Sequence, residues 1–268
     1  MRAAWLTDIH LNFIDVSARQ NFYQTIVSEN IDSVWITGDI AEAPCLADIL
    51  IEMAEKINKS IYFVLGNHDY YRGQVNEVRH VMATLTASHP NLFWLPVSSI
   101  HLLDQDIFLI DQDGWADGRL GDYVNSRVAL NDSRMITDLF QEKIVGRFQL
   151  LEKMQQFADA DSRKLQEILE QVINKNPKKV VVLTHVPPFK ESSMHQGKVS
   201  DDDWLPYFST KIMGDVLMQA AQQNPDVEFL VLCGHTHSEA IYQPLSNLIV
   251  ETGKAEYRHP EIQKIISI

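Results

Sequence analysis

Cysteine is nearly absent from this 268-residue chain: Cys45 and Cys233 are its only two. Two are too few for a disulfide framework, so stability has to come from a buried core. Long hydrophobic runs are missing as well. No uninterrupted apolar stretch approaches the ~20 residues of a membrane span, and the opening Met1-Arg2-Ala3-Ala4-Trp5-Leu6-Thr7-Asp8 holds no apolar leader segment. Positive charge is in deficit, with 23 Lys and Arg against 36 Asp and Glu, a formal net charge of −13. Polyanions such as DNA, RNA and anionic lipid bind through basic patches, so neither nucleic acid nor membrane is an expected partner. The expectation is a soluble protein of a reducing compartment, the cytoplasm.

What is present is an ordinary globular balance, 45% apolar and 22% charged. No repeat, low-complexity tract or Gly/Ser-rich linker interrupts the chain, so residues 1–268 are read as one domain. Short apolar runs at 3–6, 34–36 and 61–65 each precede a helix-periodic stretch. The first helix opens near Ser17 with Phe22, Ile26 and Val27 on one face. The second carries Leu46, Ile49, Leu50, Met53 and Ile57, and the third Val75, Val78, Met82 and Leu85. Strands alternating with helices of this length indicate βαβ units and a largely parallel, buried sheet.

Beyond residue 90 the pattern changes. Runs at 92–95, 100–103 and 107–110 are closely spaced strand candidates, separated by turn-like residues 96–99 and 104–106. Residues 111–134 form a long acidic loop, a length usually tied to function or mobility. Two helices follow, one carrying Ile136, Leu139, Phe140, Ile144, Phe148, Leu151 and Met154, the other Leu165, Ile168, Leu169 and Val172. Strand runs resume at 180–183 and 229–232, with a helix through Ile212, Val216 and Leu217 between them, and closing strands at 241–242, 248–250 and 265–268. This reads as a sandwich of sheets flanked by helices, with a helical insertion near 134–175.

Polar residues stand immediately after the apolar runs. The first leads into Asp8-Ile9-His10, the second into Gly38-Asp39, the third into Gly66-Asn67-His68-Asp69, the run at 180–183 into Thr184-His185, and that at 229–232 into Gly234-His235-Thr236-His237. Five of the ten histidines lie in these tips. In an open α/β sheet the carboxyl ends of the strands line one crevice, so distant residues can converge there. Taken singly, each tip reads as a capped turn or a hydrogen-bonded loop histidine. Their succession, each after a buried-strand signal, is not accounted for that way.

Asp8, His10, Asp39, Asn67, His185, His235 and His237 offer imidazole nitrogen, carboxylate and amide oxygen without thiolate. That mixture suits borderline to hard divalent ions such as Mn, Fe, Co, Ni or Zn. Seven such residues exceed the needs of one ion and suit two that share a bridge. Asp8/His10 and His235/His237 are each two residues apart, which on extended chain puts both side chains on one face.

In this order the tips resemble the blocks of the calcineurin-like metallophosphoesterase superfamily: Asp-x-His, Gly-Asp, Gly-Asn-His-Asp/Glu, a single His, then Gly-His-x-His. The resemblance spans Asp8 to His237. It implies a four-layer α/β/β/α sandwich and hydrolysis of a phosphomonoester or phosphodiester by a metal-activated hydroxide. By the same resemblance Asp8, His10, Asp39 and His237 hold one divalent ion (Mn, Fe or Zn), Asp39, Asn67, His185 and His235 hold a second, and Asp39 bridges them. His68 then matches the catalytic histidine and Asp69 the carboxylate that orients it. The chain departs from the pattern at residues 40–44, where some members carry an acidic residue or glycine, and after Asp69, where Tyr70 and Tyr71 displace Arg72 from the usual arginine position.

The expected partner is a small phosphorylated substrate, with Trp115 available to stack on a ring, Arg119 to hold a phosphate, and Tyr70 and Arg72 near the catalytic block. Residues 189–207, with His195, Trp204 and Tyr207, form either a lid or a solvated loop, and Asp201-Asp202-Asp203 favours the loop. The family also includes nucleases acting on DNA ends, against which the net charge speaks. A protein-binding scaffold on the same fold would be free to lose ligands, and here none is lost.

Overall fold

The computed structural model describes residues 1–98 and 100–268. The first half of the chain forms β1 (Arg2–Leu6), α1 (Val16–Ser28), β2 (Ser33–Thr37), α2 (Ala43–Ile57), β3 (Ser60–Val64), α3 (Val75–Ser88), β4 (Leu92–Trp94) and the single turn α4 (Leu95–Ser98). Next come β5 (His101–Asp104), β6 (Ile107–Asp111), α5 (Asp132–Met135), α6 (Thr137–Val145) and α7 (Arg147–Ile173). The last part holds β7 (Lys179–Leu183), β8 (Met194–His195), β9 (Lys198–Val199), α8 (Leu205–Phe208), α9 (Lys211–Gln223), β10 (Glu228–Cys233), β11 (Ala240–Leu245), β12 (Leu248–Thr252) and β13 (Lys264–Ser267). Of the turn expected at 96–99, residues 96–98 lie in α4, and Ser99 is outside the described residues.

Apart from the antiparallel β8–β9 pair, the strands form two mixed sheets in the orders β13-β1-β2-β3-β4 and β11-β12-β10-β7-β6-β5, with parallel interiors and antiparallel partners at β13, β11 and β5. Side chains alternate between the faces of a strand, and here the alternation sorts them into three cores. In the first sheet Ala4, Leu6, Val34, Ile36, Ile61 and Phe63 pack on the helix side with residues of α1, α2 and α3. Their neighbours Ala3, Trp5, Trp35 and Val64 point the other way and meet Leu109, Val181, Leu183 and Leu232 of the second sheet. The far face of that sheet puts Phe108, Ile110, Val180, Val182 and Val231 against Leu165, Leu169, Met213 and Leu217 of α7 and α9. Helix, sheet, sheet and helix are therefore the four layers expected, and strands buried on both faces explain the near-continuous apolar runs.

The insertion near 134–175 is helical, with different breaks from those the apolar spacing suggests. Gly146 divides α6 from α7, and α7 then runs unbroken to Ile173. The amino-terminal half of α7, with Leu150, Met154 and Ala158, joins the core that holds Trp115 and Tyr123. Its carboxyl-terminal half covers the second sheet as the crossover between the parallel strands β6 and β7. Both cysteines are free, and Cys233 is buried.

Trp35 is completely buried between the sheets. Trp35→Ala is expected to cost about 3–5 kcal/mol in chemical denaturation, the range for emptying a core tryptophan site. A loss below about 1 kcal/mol would mean that the layer between the sheets is not close-packed.

Candidate metal centre

The carboxyl ends of β1, β2, β3, β7 and β10 meet at one edge of the sandwich, where backbone hydrogen bonds tie the loop after β1 to that after β2 and the loop after β7 to that after β10. Asp8 N donates to Gly38 O at 3.1 Å, His10 N to Asp39 O at 3.0 Å, Thr184 N to Leu232 O at 3.0 Å and Gly234 N to His185 O at 2.9 Å. Among the described residues eleven non-glycine positions have positive φ, and five of them are Asp8, His10, Asp39, His235 and His237. Such backbone costs on the order of 1–3 kcal/mol per residue and persists where surrounding contacts over-determine it. The two Asp-x-His and His-x-His pairs therefore do not lie on extended chain as their spacing suggests. They reach a common site because each loop turns sharply at the residue that carries the side chain. Glycine is required beside them, since a Cβ on Gly66 would collide with the Asp39 carboxylate and one on Gly234 with Thr7 and Asp8.

One carboxylate holds two of these loops together. Asp69 is fully buried and accepts four backbone hydrogen bonds, from Asp39 N and Gly66 N on Oδ2 (both 2.8 Å) and from Ile40 N (2.8 Å) and Ala41 N (2.9 Å) on Oδ1. Burial pushes its carboxyl up to about 7, against the four amides that favour the ionised form. The expectation that Asp69 orients the His68 ring is thereby corrected. Both of its oxygens are engaged by amides, and His68 Nδ1 is buried without a hydrogen-bond partner.

The first set of side chains is Asp8, His10, Asp39 and His237, whose ligand-type atoms all lie within 4.8 Å of one another. His237 Nε2 stands 3.3 Å from Asp8 Oδ1 and 3.3 Å from His10 Nε2, which is 3.8 Å from Asp39 Oδ2. Asp8 is oriented by Thr7 Oγ1 at 2.6 Å and by His235 N at 3.0 Å, both donating to Oδ2.

The second set is Asp39, Asn67, His185 and His235, and its protonation can be read from its hydrogen bonds. His185 Nδ1 lies 2.7 Å from Thr37 O, and His235 Nε2 lies 2.8 Å from Tyr207 O. A carbonyl only accepts, so these nitrogens carry the protons and His185 Nε2 and His235 Nδ1 carry lone pairs. Asn67 Nδ2 donates to Asp132 Oδ1 at 2.8 Å, which turns Asn67 Oδ1 inward, 3.0 Å from His185 Nε2 and 2.9 Å from His235 Nδ1. Asp39 Oδ1 is 3.4 Å from His185 Nε2. Acceptors thus converge on Asn67 Oδ1 with no proton between them, an arrangement that a cation relieves. Histidines that give their other N–H to a carbonyl are the usual support of metal-ligating imidazole.

The electrostatics fit the same occupant. Burial lowers His10 to about 3, His235 to about 4 and His185 below its ordinary value, so these imidazoles are neutral Lewis bases. Burial, then the charges of Asp8 and Asp69, push Asp39 well above the usual carboxylate range. Asp8 is held below that range: burial opposes this, and the hydrogen bond and charge of His237 outweigh it. The Asp39 oxygens face the two sets separately, Oδ1 towards His185 and Oδ2 towards His10. The residues present therefore suit divalent cations with N/O preference.

Above both sets lies a cleft of about 370 Å³, its walls including His68, Tyr71, Leu130, Asp132, Trp204 and Tyr257. His68 stacks on Tyr71 with ring centres 4.1 Å apart and meets His10 edge-on at 4.6 Å. Burial, then His10, lowers its imidazole to about 2.

The remaining sequence candidates lie elsewhere. Trp115 is buried in the core, 5.0 Å from both Tyr70 and Phe157. Arg119 is engaged by Asp117 at 3.2 Å and Asp159 at 2.7 Å, leaving no fork for a phosphate. Tyr70 is buried, donating to Asp113 Oδ2 at 2.7 Å, while Arg79 bridges Asp113 and Asp161. Arg72 is exposed and paired at 3.1 Å with Glu42, so the two departures from the family pattern contact each other. None of these four lines the cleft. Residues 111–134 and 189–207 do reach it, through Leu130, Asn131 and Asp132 and through His195 and Trp204, so the second segment is a wall rather than a solvated loop. Its Asp201-Asp202-Asp203 run is exposed, and Asp201 Oδ1 caps Asp203 N and Trp204 N.

Sequence reasoning misses Asp132 and Tyr257. Asp132 Oδ1 accepts from Asn67 Nδ2 and, at 2.7 Å, from Tyr71 OH, and so fixes both a ligand-type amide and the ring under His68. Tyr257 lies 4.6 Å from the His10 ring and 5.0 Å from that of His237. Asn131-Asp132, as a candidate helix start, is the available signal for Asp132. Tyr257, between β12 and β13, has none.

A family model described as calcineurin-like phosphoesterase matches residues 1–239. None of the curated proteins compared with the chain matches it. Among solved structures, the fold is similar to that of a dimetal phosphatase from Danio rerio, with TM-score 0.60 and 13% identity over 95% of this chain and 87% of that one. It is equally similar to the phosphopantetheinyl hydrolase PptH from Mycobacterium tuberculosis, with TM-score 0.60 and 10% identity over 95% and 89%. The protein TT1561 of Thermus thermophilus gives TM-score 0.52 and 11% identity over 94% and 88%.

Asp69→Asn is expected to destabilise the protein by about 3 kcal/mol, because an amide turns its NH₂ against two of the four donors and charged hydrogen bonds are worth roughly 1.5–3 kcal/mol each. The variant should also retain less metal than the parent after dialysis, although Asp69 belongs to neither ligand set. Unchanged stability together with unchanged metal content would show that the clamp does not position Asp39.

Proposed function

This chain belongs to the calcineurin-like phosphoesterase family, and on that premise we propose that it hydrolyses a phosphoester at a site for two divalent cations. Asp8, His10, Asp39 and His237 would hold one, Asp39, Asn67, His185 and His235 the other, with Asp39 shared. The observation that carries this reading is the inward convergence of acceptors with fixed tautomers, with one Asp39 oxygen facing each set. Mn, Fe and Zn all suit the donors.

When bound, a pair of divalent cations supplies Lewis acidity to the phosphoryl group and to the attacking water. The protein does the rest. Asn67, His10, His185 and His235 enter neutral, while the contact with Asp8 raises His237 against the effect of its burial, and the carboxylates of the two sets are those of Asp8 and Asp39. His68 borders that floor without belonging to either ligand set, with its ring fixed by the stack on Tyr71. We assign to it a hydrogen bond from a ring N–H to the leaving-group oxygen, where negative charge develops. Tyr71 and Asp132 act through His68 and Asn67 as positioning residues.

A panel of 4-nitrophenyl phosphate, bis(4-nitrophenyl) phosphate, a cyclic nucleotide and single-stranded DNA tests the reaction class with metal-loaded protein. Turnover of at least one of the small esters is expected. Activity confined to DNA, or absent throughout with metal bound, would contradict the reading. His68→Asn should retain metal while kcat falls ~10²–10⁴-fold, with a smaller loss on nitrophenyl than on alkyl esters. Loss of metal, or full activity on an alkyl ester, would remove His68 from the reaction.

A further inference from the structure

We propose that the cleft selects phosphoesters whose leaving alcohol carries a flat, uncharged ring system, held against a wall formed by His195, Trp204 and Phe208. The inference rests on the phosphoester reading and specifies its substrate. The wall begins at the metal centre itself: Phe208 meets the ring of His235 edge-on at 5.4 Å. Trp204 continues it at 4.9 Å from Phe208, and His195 extends it at 4.4 Å from Trp204 with 34° between the planes. Phe208 is buried, whereas Trp204 and His195 remain half-buried where they line the cleft. Tyr257, 45% exposed, stands over the other ligand set near His10 and His237. A group leaving the phosphorus therefore emerges between aromatic surfaces, which favour offset or edge contacts with another ring.

The wall is built in advance of any ligand. The β8–β9 hairpin that carries His195 is closed by Ser200 N donating to Ser193 O at 2.8 Å and by Ser193 Oγ donating to Ser200 Oγ at 3.1 Å. Thr252 Oγ1 donates to Ser192 O at 2.8 Å and fastens the hairpin to the second sheet. Asp201 fixes the start of the turn that presents Trp204. A surface ordered before binding costs little to use.

Charge sets the second half of the specificity. Among the described residues no lysine or arginine lines the cleft, and Asp132 contributes a carboxylate to its wall. The two arginines expected from the sequence to contact substrate are engaged elsewhere, Arg119 by Asp117 and Asp159 and Arg72 by Glu42. An anionic group on the leaving alcohol would thus be desolvated without a partner, which is unfavourable.

Phosphonates test this without turnover, because their P–C bond is not an ester. Calorimetry on the Mn-loaded full chain would compare (2-naphthylmethyl)phosphonate, methylphosphonate and (6-carboxy-2-naphthylmethyl)phosphonate. The naphthyl compound is expected to bind about tenfold tighter than methylphosphonate, the scale of one or two aromatic contacts, and the added carboxylate should remove most of that gain. Trp204→Ala should bring the naphthyl-to-methyl ratio near one, Trp204→Phe should keep most of it, and His195→Ala should reduce it in part. A ratio near one in the parent protein, or a tenfold ratio surviving in Trp204→Ala, would overturn the inference. Ester turnover without ring preference would count against the ring subsite alone, and ring preference without any ester turnover against the phosphoesterase reading alone.

Discussion

The carboxylate of Asp69 receives the backbone amides of Asp39, Ile40, Ala41 and Gly66, and the geometry of the candidate metal centre depends on that contact. It joins the loop after β2 to the loop after β3. With the Asp39 amide held, Asp39 Oδ1 can accept from His68 N at 2.9 Å while Oδ2 turns towards His10. One side chain that belongs to neither proposed ligand set therefore aims the Asp39 carboxylate, whose two oxygens face His185 and His10. Hydrogen bonds of a buried carboxylate to amides are stronger than neutral ones, and the energy is used here to hold Asp39 at a φ of +56°.

The four-layer architecture supplies the remaining constraint. Parallel strands end at the same edge, so each sheet delivers several loops to one place without long excursions. The first sheet brings Asp8, His10, Asp39, Asn67 and His68, and the second brings His185, His235 and His237. The layer between the sheets, with Trp35 at its centre, fixes how far apart those two groups stand. Burial then keeps most of the imidazoles neutral and crowds the carboxylates. The residues so placed suit divalent cations, which would offset the crowded carboxylates.

The seven ligand-type residues are legible because each stands within a few positions of a strand whose apolar run announces it. The strands are legible because burial on both faces leaves Val, Ile, Leu and Trp in nearly unbroken series. Asp69 is visible as a residue but not in its role: its partners are backbone amides, three of them 28–30 positions away, and amides leave no mark in a sequence. Arg119 misleads because a cation in an acidic loop resembles a phosphate-binding residue, whereas Trp115 is buried and lines a cavity shared with Asn67 and His235. Asp117, two residues from Arg119, is the sign of an internal pair. Gly146 likewise marks the true helix break. The cleft walls are the least legible part, since Asp132, His195, Trp204 and Tyr257 are brought together only by tertiary packing.

Anomalous scattering from crystals grown with excess Mn tests most directly whether two cations share Asp39. Two peaks are predicted, one among Asp8, His10 and His237 and the other among Asn67, His185 and His235, with an oxygen of Asp39 bound to each. A single peak, or two peaks of which only one touches Asp39, would contradict the shared-carboxylate account.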